Sequence, residues 1–161
     1  MKETGEITNP PPRELTITRI FDAPRELVFK SWTDPARVAQ WWGPRGFTNP
    51  LCVWEARPGG SIRVEMRPPD GEAHPMGGRF REIVSPERLV FTSTAFFDSN
   101  GNPQSENLNT VTFEEIAGGR TKVTLHVVVL KATAEMAGPL RGMKEGWSQS
   151  LDKLDEFISK K

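Results

Sequence analysis

The C-terminal end of the chain carries the pattern that most restricts its fold. Apolar side chains recur at intervals of 4, 3, 4, 4, 3 and 4, the spacing of one face of an α-helix: Met136, Leu140, Met143, Trp147, Leu151, Leu154 and Ile158. A stripe of small residues runs beside them: Gly138, Gly142, Gly146 and Ser150. Each interior glycine costs a helix about 0.5–1 kcal/mol relative to alanine. The pattern predicts one long helix with an apolar face to bury and a stripe kept free of bulk.

The rest of the chain is typical of short antiparallel strands. A β-branched run begins at Glu14, and two helix starts follow at Asp22-Ala23-Pro24 and Thr33-Asp34-Pro35. Six strand-like segments come next: Leu51–Ala56, Ser61–Arg67, Met76–Val84, Leu89–Phe97, Thr110–Ile116 and Thr121–Leu130. The short spacings between them favour antiparallel hairpins over crossover helices. The sequence therefore predicts an α+β fold in the order strand, two short helices, six strands and one long helix.

Length and charge limit the domain count and the partners. The 161 residues suit one domain, which we place at 14–161, after a polar, proline-containing tail at 1–13 that we expect to be flexible. Lys plus Arg and Asp plus Glu both total 21, so no net field favours nucleic acid or an anionic membrane. No apolar run reaches the ~18 residues of a membrane-inserted helix. We expect neither partner.

Cysteine content indicates the compartment. Cys52 is the only cysteine, so an internal disulfide is impossible, and no charged-then-apolar leader opens the chain. These features favour the cytoplasm. Cys52 has no signature of a nucleophile around it, and we interpret it as an inert small side chain.

Several short motifs together resemble one protein family. They are Phe21-Asp22-Ala23-Pro24, Trp32-Thr33-Asp34-Pro35, Trp41-Trp42-Gly43-Pro44, Arg57-Pro58-Gly59-Gly60 and Gly146-Trp147 with Leu151 and Leu154. In this order the chain resembles the bacterial homologues of the activator of heat-shock-protein-90 ATPase, in the START-like, birch-pollen-allergen-like (SRPBCC) superfamily. The resemblance implies a helix-grip fold, in which a seven-stranded antiparallel sheet wraps around the C-terminal helix and two short helices close a cavity. It also implies a hydrophobic small-molecule ligand, such as a lipid, and a possible chaperone or other protein partner.

Strand alternation predicts which side chains face that cavity. Residues in phase on the strands join the apolar helix face and the tryptophan pair, of which one ring is expected in the core and the other near the entrance. The predicted ligand-cavity residues are Trp41, Trp42, Val64, Met66, Phe80, Glu82, Phe91, Asn109, Phe113, Leu125, Met136, Leu140, Met143 and Trp147. The alternative is that all of them fill a solid core.

Glu82 is the one carboxylate in this set, because it shares its phase with Phe80 and Val84. A buried acid has to be paired or protonated, so it would orient a polar group of the ligand. The alternatives are a bulge at the strand end or an ion pair with Arg79 or Arg81. Asn107 shares its phase with Asn109, and both are expected to make the pocket mouth polar.

Reactive constellations are sparse. His74 in a turn and His126 on a solvent-facing strand position have no partners at metal-ligand spacing, and no phosphate-binding or dinucleotide motif is present. We expect no metal, no cofactor and no dedicated catalytic residue. Two alternatives to ligand binding stay open: a cyclase or dehydratase that uses Glu82 and Asn109, and a docking domain that presents Arg63 and Arg67 to a protein.

Overall fold

The computed structural model describes residues 11–159, so most of the predicted tail at 1–13 lies outside the described residues. The elements are β1 (Glu14–Phe21), α1 (Arg25–Thr33), α2 (Pro35–Trp41), β2 (Thr48–Trp54), β3 (Ser61–Arg67), β4 (His74–Val84), β5 (Arg88–Phe97), β6 (Pro103–Ile116), β7 (Arg120–Ala132), a 3-10 turn (Ala134–Met136), α3 (Ala137–Arg141) and α4 (Met143–Ser159). This order confirms the predicted α+β class.

The strands of the described chain form one seven-stranded antiparallel sheet in the order β1-β7-β6-β5-β4-β3-β2. The first strand pairs with the last. All the remaining pairs of neighbouring strands are consecutive in sequence and are joined by hairpin turns. Alternate residues of β7, such as Val123, Leu125 and Val127, are buried on one face, as expected for a sheet that is covered on one side. Helix α4 buries Leu151 and Leu154 in the same core. The helix-grip architecture is therefore confirmed.

Helices α1 and α2 are fixed by local chemistry and by tryptophan hydrogen bonds. The Asp34 side chain accepts a hydrogen bond from the Ala36 N–H at 3.0 Å and so caps α2, and Pro35 occupies the first turn. The indole N–H of Trp41 donates to the Ser31 carbonyl at 2.9 Å, and that of Trp54 donates to the Trp32 carbonyl at 2.8 Å. These bonds join the two short helices to each other and to β2.

The C-terminal helix differs from its prediction, because it is broken at Gly142. A 3-10 turn and the five-residue α3 precede α4, and the Gly142 backbone lies at φ −90° and ψ 0°. Glycine is the weakest helix former after proline, so a helix break at this position costs little. The break lets Met136 and Leu140 pack with Val129 as a small cluster apart from the main core.

Strand β6 begins at Pro103, earlier than the predicted start at Thr110. The polar stretch 98–107 is predicted from the sequence to connect two strands, with a turn at Asn100-Gly101, but the structure places its second half in β6. The backbone of that half pairs with β5 and β7, with Ser105 opposite Ala95 and Ala132. Polar residues are compatible with a strand here because this part of the sheet borders an open cavity instead of a packed core.

Strand β4 contains a bulge that reverses its alternation. Phe80 pairs with Phe91, but Glu82 pairs with the adjacent Val90, so the strand gains one residue between these positions. Glu82 consequently lies on the outer face with its side chain 48% exposed, and Val84 is 40% exposed. The prediction that Glu82 faces the cavity is wrong for this reason. The bulge that was weighed as an alternative is present, and the carboxylate pairs with Arg88, whose Nε lies 2.8 Å from Glu82 Oε1.

Candidate functional site

A cavity of about 740 Å³ opens between the sheet and the C-terminal helices. Its walls come from the end of α2 and the following loop, from β3 to β6, and from the segment between Met136 and Ser150. Most of the surface is apolar. The inward faces of β5 and β6 supply the sheet wall, and α3 and α4 supply the opposite wall.

Methionines are concentrated at this cavity. The chain has five methionines, and four of them line it: Met66, Met76, Met136 and Met143. Methionine is unbranched and has a polarisable sulfur, so it adapts to irregular shapes better than leucine or valine does. A lining of this kind can adapt its shape more readily than a lining of branched side chains.

The small residues of the helix stripe provide the space. Gly142, Gly146 and Ser150 line the cavity on the helix side. A Cβ atom added at Gly146 would meet no heavy atom within 4 Å, so close packing does not require glycine at this position. The absence of a side chain there leaves volume open in the cavity, although glycine weakens the helix.

Two tryptophans form the inner aromatic wall. The rings of Trp42 and Trp147 meet edge to face with centroids 5.3 Å apart. The Trp42 indole N–H donates to the Met76 sulfur at 3.1 Å, so the polar edge of this ring is engaged. Trp147 also stacks on Trp32 at 6.2 Å, which fixes its orientation from the core side. Both rings therefore present fixed apolar surface to the cavity.

The loop after α2 forms one wall and is attached to α4 by a lysine. The Lys153 ammonium lies within hydrogen-bonding distance of the carbonyl oxygens of Gly43, Pro44 and Phe47 at 3.2, 3.2 and 3.4 Å, and of the Trp42 carbonyl at 3.5 Å. Burial, and secondarily the positive charge of Arg45, lower the Lys153 pKa from its ordinary value.

A second set of contacts attaches the same loop from its exposed side. The Arg45 guanidinium pairs with the Glu156 carboxylate, and its backbone N–H donates to Gln149 Oε1 at 3.0 Å. The hydrogen bond to Glu156 and the negative charge of Glu156 raise the Arg45 pKa above its ordinary value. On the inner side, Asn49 donates to the carbonyls of Ala39 and Trp42. The cavity wall is therefore held by α4 and by the start of β2.

A few polar groups interrupt the sheet wall. Asn109 is buried, and its Nδ2 donates to Ser93 Oγ at 3.0 Å and to the Phe91 carbonyl at 3.3 Å. The side-chain oxygens of Asn107 and Asn109 are buried without a hydrogen-bond partner in the described part of the chain. Gln104 Oε1 accepts a hydrogen bond from the Thr133 hydroxyl at 3.1 Å. Ser93, Gln104 and Asn107 line the cavity, whereas Asn109 lies outside the lining.

The rim of the cavity exposes two aromatic rings. Phe96 is 49% exposed and Phe97 is 38% exposed, and both line the opening. Phe96 has φ of +59°, a left-handed conformation that non-glycine residues rarely adopt. Phe97 shares its strand phase with Phe91 and Ser93, so alternation alone could have predicted that it faces the same side. The position of Phe96 could not have been predicted in this way, because it depends on that unusual backbone angle.

The predicted lining residues divide into three groups. Those that line the cavity are Trp42, Met66, Met136, Leu140, Met143 and Trp147. Those that are buried in the core instead are Trp41, Val64, Phe80, Phe91, Asn109, Phe113 and Leu125. Glu82 lies on the outer surface. Alternation identified the inward face, but it does not distinguish the filled half of the sheet from the half that borders the cavity.

The two histidines and the cysteine lie at separate places in the fold. Among residues 11–159, no group of three or more His, Cys, Asp or Glu side chains is placed to hold a metal ion. Cys52 is half-buried, and burial raises the pKa of its thiol to about 11. His126 lies 2.6 Å from Glu14 Oε2 on an exposed part of the sheet, and His74 is exposed at the cavity rim. In the described part of the chain, no helix has the length and apolar character needed to cross a membrane.

Comparison with solved structures places the fold among bacterial proteins. A Chromobacterium violaceum protein is 28% identical with a TM-score of 0.75, covering 91% of this chain and 97% of its own. An Arthrobacter aurescens protein is 27% identical with a TM-score of 0.79, covering 92% of this chain and 87% of its own. The AHSA1 protein of Silicibacter pomeroyi is 24% identical and shares the fold, with a TM-score of 0.77 over 91% of this chain and 97% of its own.

Comparison with curated proteins gave no match. A family model does match, over residues 22–159, and its description is "Activator of Hsp90 ATPase homolog 1-like protein". The matched range contains the elements from α1 to α4 and every residue that lines the cavity. The chain therefore belongs to the activator of Hsp90 ATPase homolog 1-like family.

Proposed function

We propose that this protein binds an apolar or aromatic small molecule, of a lipid, polyketide-like or flavonoid-like kind, in the cavity between sheet and C-terminal helices. The observation that carries the proposal is the cavity of about 740 Å³ with its predominantly apolar lining. Ligand sites for small molecules usually measure about 300–1,000 Å³ and have a few placed polar groups. The methionines and the bare Gly146 position support the same role, because they provide adaptable surface and room.

A fluorescent probe tests this proposal directly. N-phenyl-1-naphthylamine is neutral and apolar, and it becomes fluorescent when it leaves water for an apolar site. We expect it to bind with a dissociation constant in the micromolar range, about −8 kcal/mol. Trp42 and Trp147 line the cavity, so their emission should fall as the probe binds.

A matched pair of variants locates the bound probe. Gly146→Leu places a bulky side chain into the open space of the cavity, whereas Gly138→Leu makes the same change at an exposed position outside the lining. We expect Gly146→Leu to weaken probe binding by at least about tenfold and Gly138→Leu to leave it unchanged. Equal affinities for the two variants would show that the probe binds elsewhere, and no binding to the unaltered protein would refute the proposal.

Glu82, the main candidate for an acid or base in the enzyme alternative, does not line the cavity. A cyclase or dehydratase needs an acid or base in the cavity, and Glu82 is paired with Arg88 on the outer face. In the described part of the chain, His74 is the only lining residue with a titratable side chain, and it is exposed at the rim.

A docking role would use the outer face of the sheet, where Arg63 and Arg67 are exposed. Charge reversal at these two positions should weaken the binding of a docked protein without changing probe binding.

We also propose a cytoplasmic location, with which the single free thiol of Cys52 is consistent.

A further inference from the structure

The cavity lining carries almost no charge. Among the described residues, no Asp, Glu, Lys or Arg side chain lines it, and His74 lies at its exposed rim. A ligand group that is ionised loses its hydration when it enters such a site and finds no opposite charge in return. The lining therefore disfavours a carboxylate, sulfonate or ammonium group inside the cavity, whatever the shape of the apolar part.

The sheet wall nevertheless contains a polar cluster, formed by Ser93 of β5 and by Asn107 and Asn109 of β6. Ser93 and Asn107 are direct register partners, and both line the cavity. Asn109, which is buried and lies outside the lining, donates to Ser93 Oγ at 3.0 Å and so holds that hydroxyl in place. The buried amide oxygens of Asn107 and Asn109 lack a hydrogen-bond donor in the described chain. The Asn107 oxygen has almost no accessible surface, so a ligand reaches it only when the amide is turned. A buried polar atom without a partner destabilises the folded protein.

We infer that the cavity selects a neutral amphiphile, with an apolar body and one uncharged hydroxyl or carbonyl group that hydrogen-bonds to Asn107 and Ser93. This inference rests on the proposed function and adds the ligand's chemical class to it. An amide and a hydroxyl each carry donor and acceptor atoms, so a ligand hydroxyl is satisfied whichever way the Asn107 amide is turned. Met143 and Trp147 of α4 also line the cavity and receive the apolar body.

A chain-matched pair of competitors tests the inference. 1-Decanol and decanoate have the same chain length and differ in the charge of the head group. Each is titrated against protein loaded with N-phenyl-1-naphthylamine, and the loss of probe fluorescence gives its affinity. We expect decanol to displace the probe at a concentration at least about tenfold lower than decanoate.

The role of the polar cluster is tested by Asn107→Leu. This change removes the amide while nearly preserving its volume, and it should weaken decanol binding about tenfold, leave decanoate binding unchanged and so narrow the ratio between them. Because the Asn107 oxygen is unpaired, the variant should unfold at the same or a higher temperature. Thr110→Val makes a similar polar-to-apolar change on the opposite face of β6 and should leave the ratio intact.

The outcomes separate the two proposals. Failure of the probe to bind the unaltered protein refutes the proposed function itself. Probe binding with decanoate as good a competitor as decanol leaves that function standing and overturns the selection against charge. An unchanged competitor ratio in folded Asn107→Leu protein overturns the assignment of the head group to the polar cluster.

Discussion

Replacing Lys153 tests how the cavity wall is held, because its single ammonium group hydrogen-bonds to several backbone carbonyls of the loop 42–47. Replacing Lys153 with methionine keeps most of the aliphatic stem and removes the donors to Trp42, Gly43, Pro44 and Phe47. The helix and its core-facing residues stay unchanged. The expected loss therefore reports the attachment of residues 42–47 to α4.

The size of this loss follows from two opposing effects. A hydrogen bond to a charged group contributes about 1.5–3 kcal/mol net, whereas burial lowers the Lys153 pKa and so opposes the charged form. The lower half of that range is therefore expected, about 1.5–2 kcal/mol of unfolding free energy. For a chain of this length the melting temperature should fall by about 3–8 °C.

Urea unfolding and thermal melts measure the change, and hydrogen exchange of the peptide that covers residues 42–47 locates it. Lys144→Met, at an exposed position of the same helix, should change stability by less than about 0.5 kcal/mol. Amide exchange in the loop should accelerate in Lys153→Met and stay constant in Lys144→Met. A stability loss equal to that of the control, with unchanged exchange, would refute the idea that Lys153 holds this wall.

Further predictions concern three other positions. Because burial raises the Cys52 pKa to about 11 from its ordinary 9.0, iodoacetamide at pH 8 should alkylate the native thiol roughly 100-fold more slowly than the urea-unfolded chain, and equal rates would contradict this. Gly146→Ala should raise stability by about 0.5–1 kcal/mol in a urea titration, because its Cβ meets no atom within 4 Å; a loss of stability would show a hidden steric role. Thr121→Val removes the buried 2.7 Å hydrogen bond to the Ala23 carbonyl and should cost about 1–3 kcal/mol in the same assay, whereas a neutral result would mean that this carbonyl finds another donor.

Local sequence rules were sufficient for the element order. The caps at Asp34-Pro35 and the proline-glycine turns act within a few residues, so they are readable from the chain alone. The same rules failed where a tertiary contact decides the backbone. The polar start of β6 forms a strand because β5 and β7 pair with it, and Glu82 faces outward because one bulged residue precedes it.

The candidate site was only partly predictable for a related reason. Periodicity identified Met136, Leu140, Met143 and Trp147 as one helix face, and the structure brings all four to the cavity. The corresponding strand residues Phe80 and Phe91 are equally in phase, yet they lie in the filled core. A hydrophobic pattern indicates which face of a strand or helix is turned inward. It does not indicate how far apart the sheet and the helix lie.

By itself, the sequence determined the α+β class, the antiparallel pairing, the apolar helix face and the near absence of net charge, because each depends on residue type and short-range spacing. The tertiary structure alone decided where the volume between sheet and helix stays open. That volume depends on the helix break at Gly142 and on the loop attached by Lys153, which bring together residues far apart in the chain. Cavities are properties of three-dimensional packing, and packing is settled between elements instead of within them.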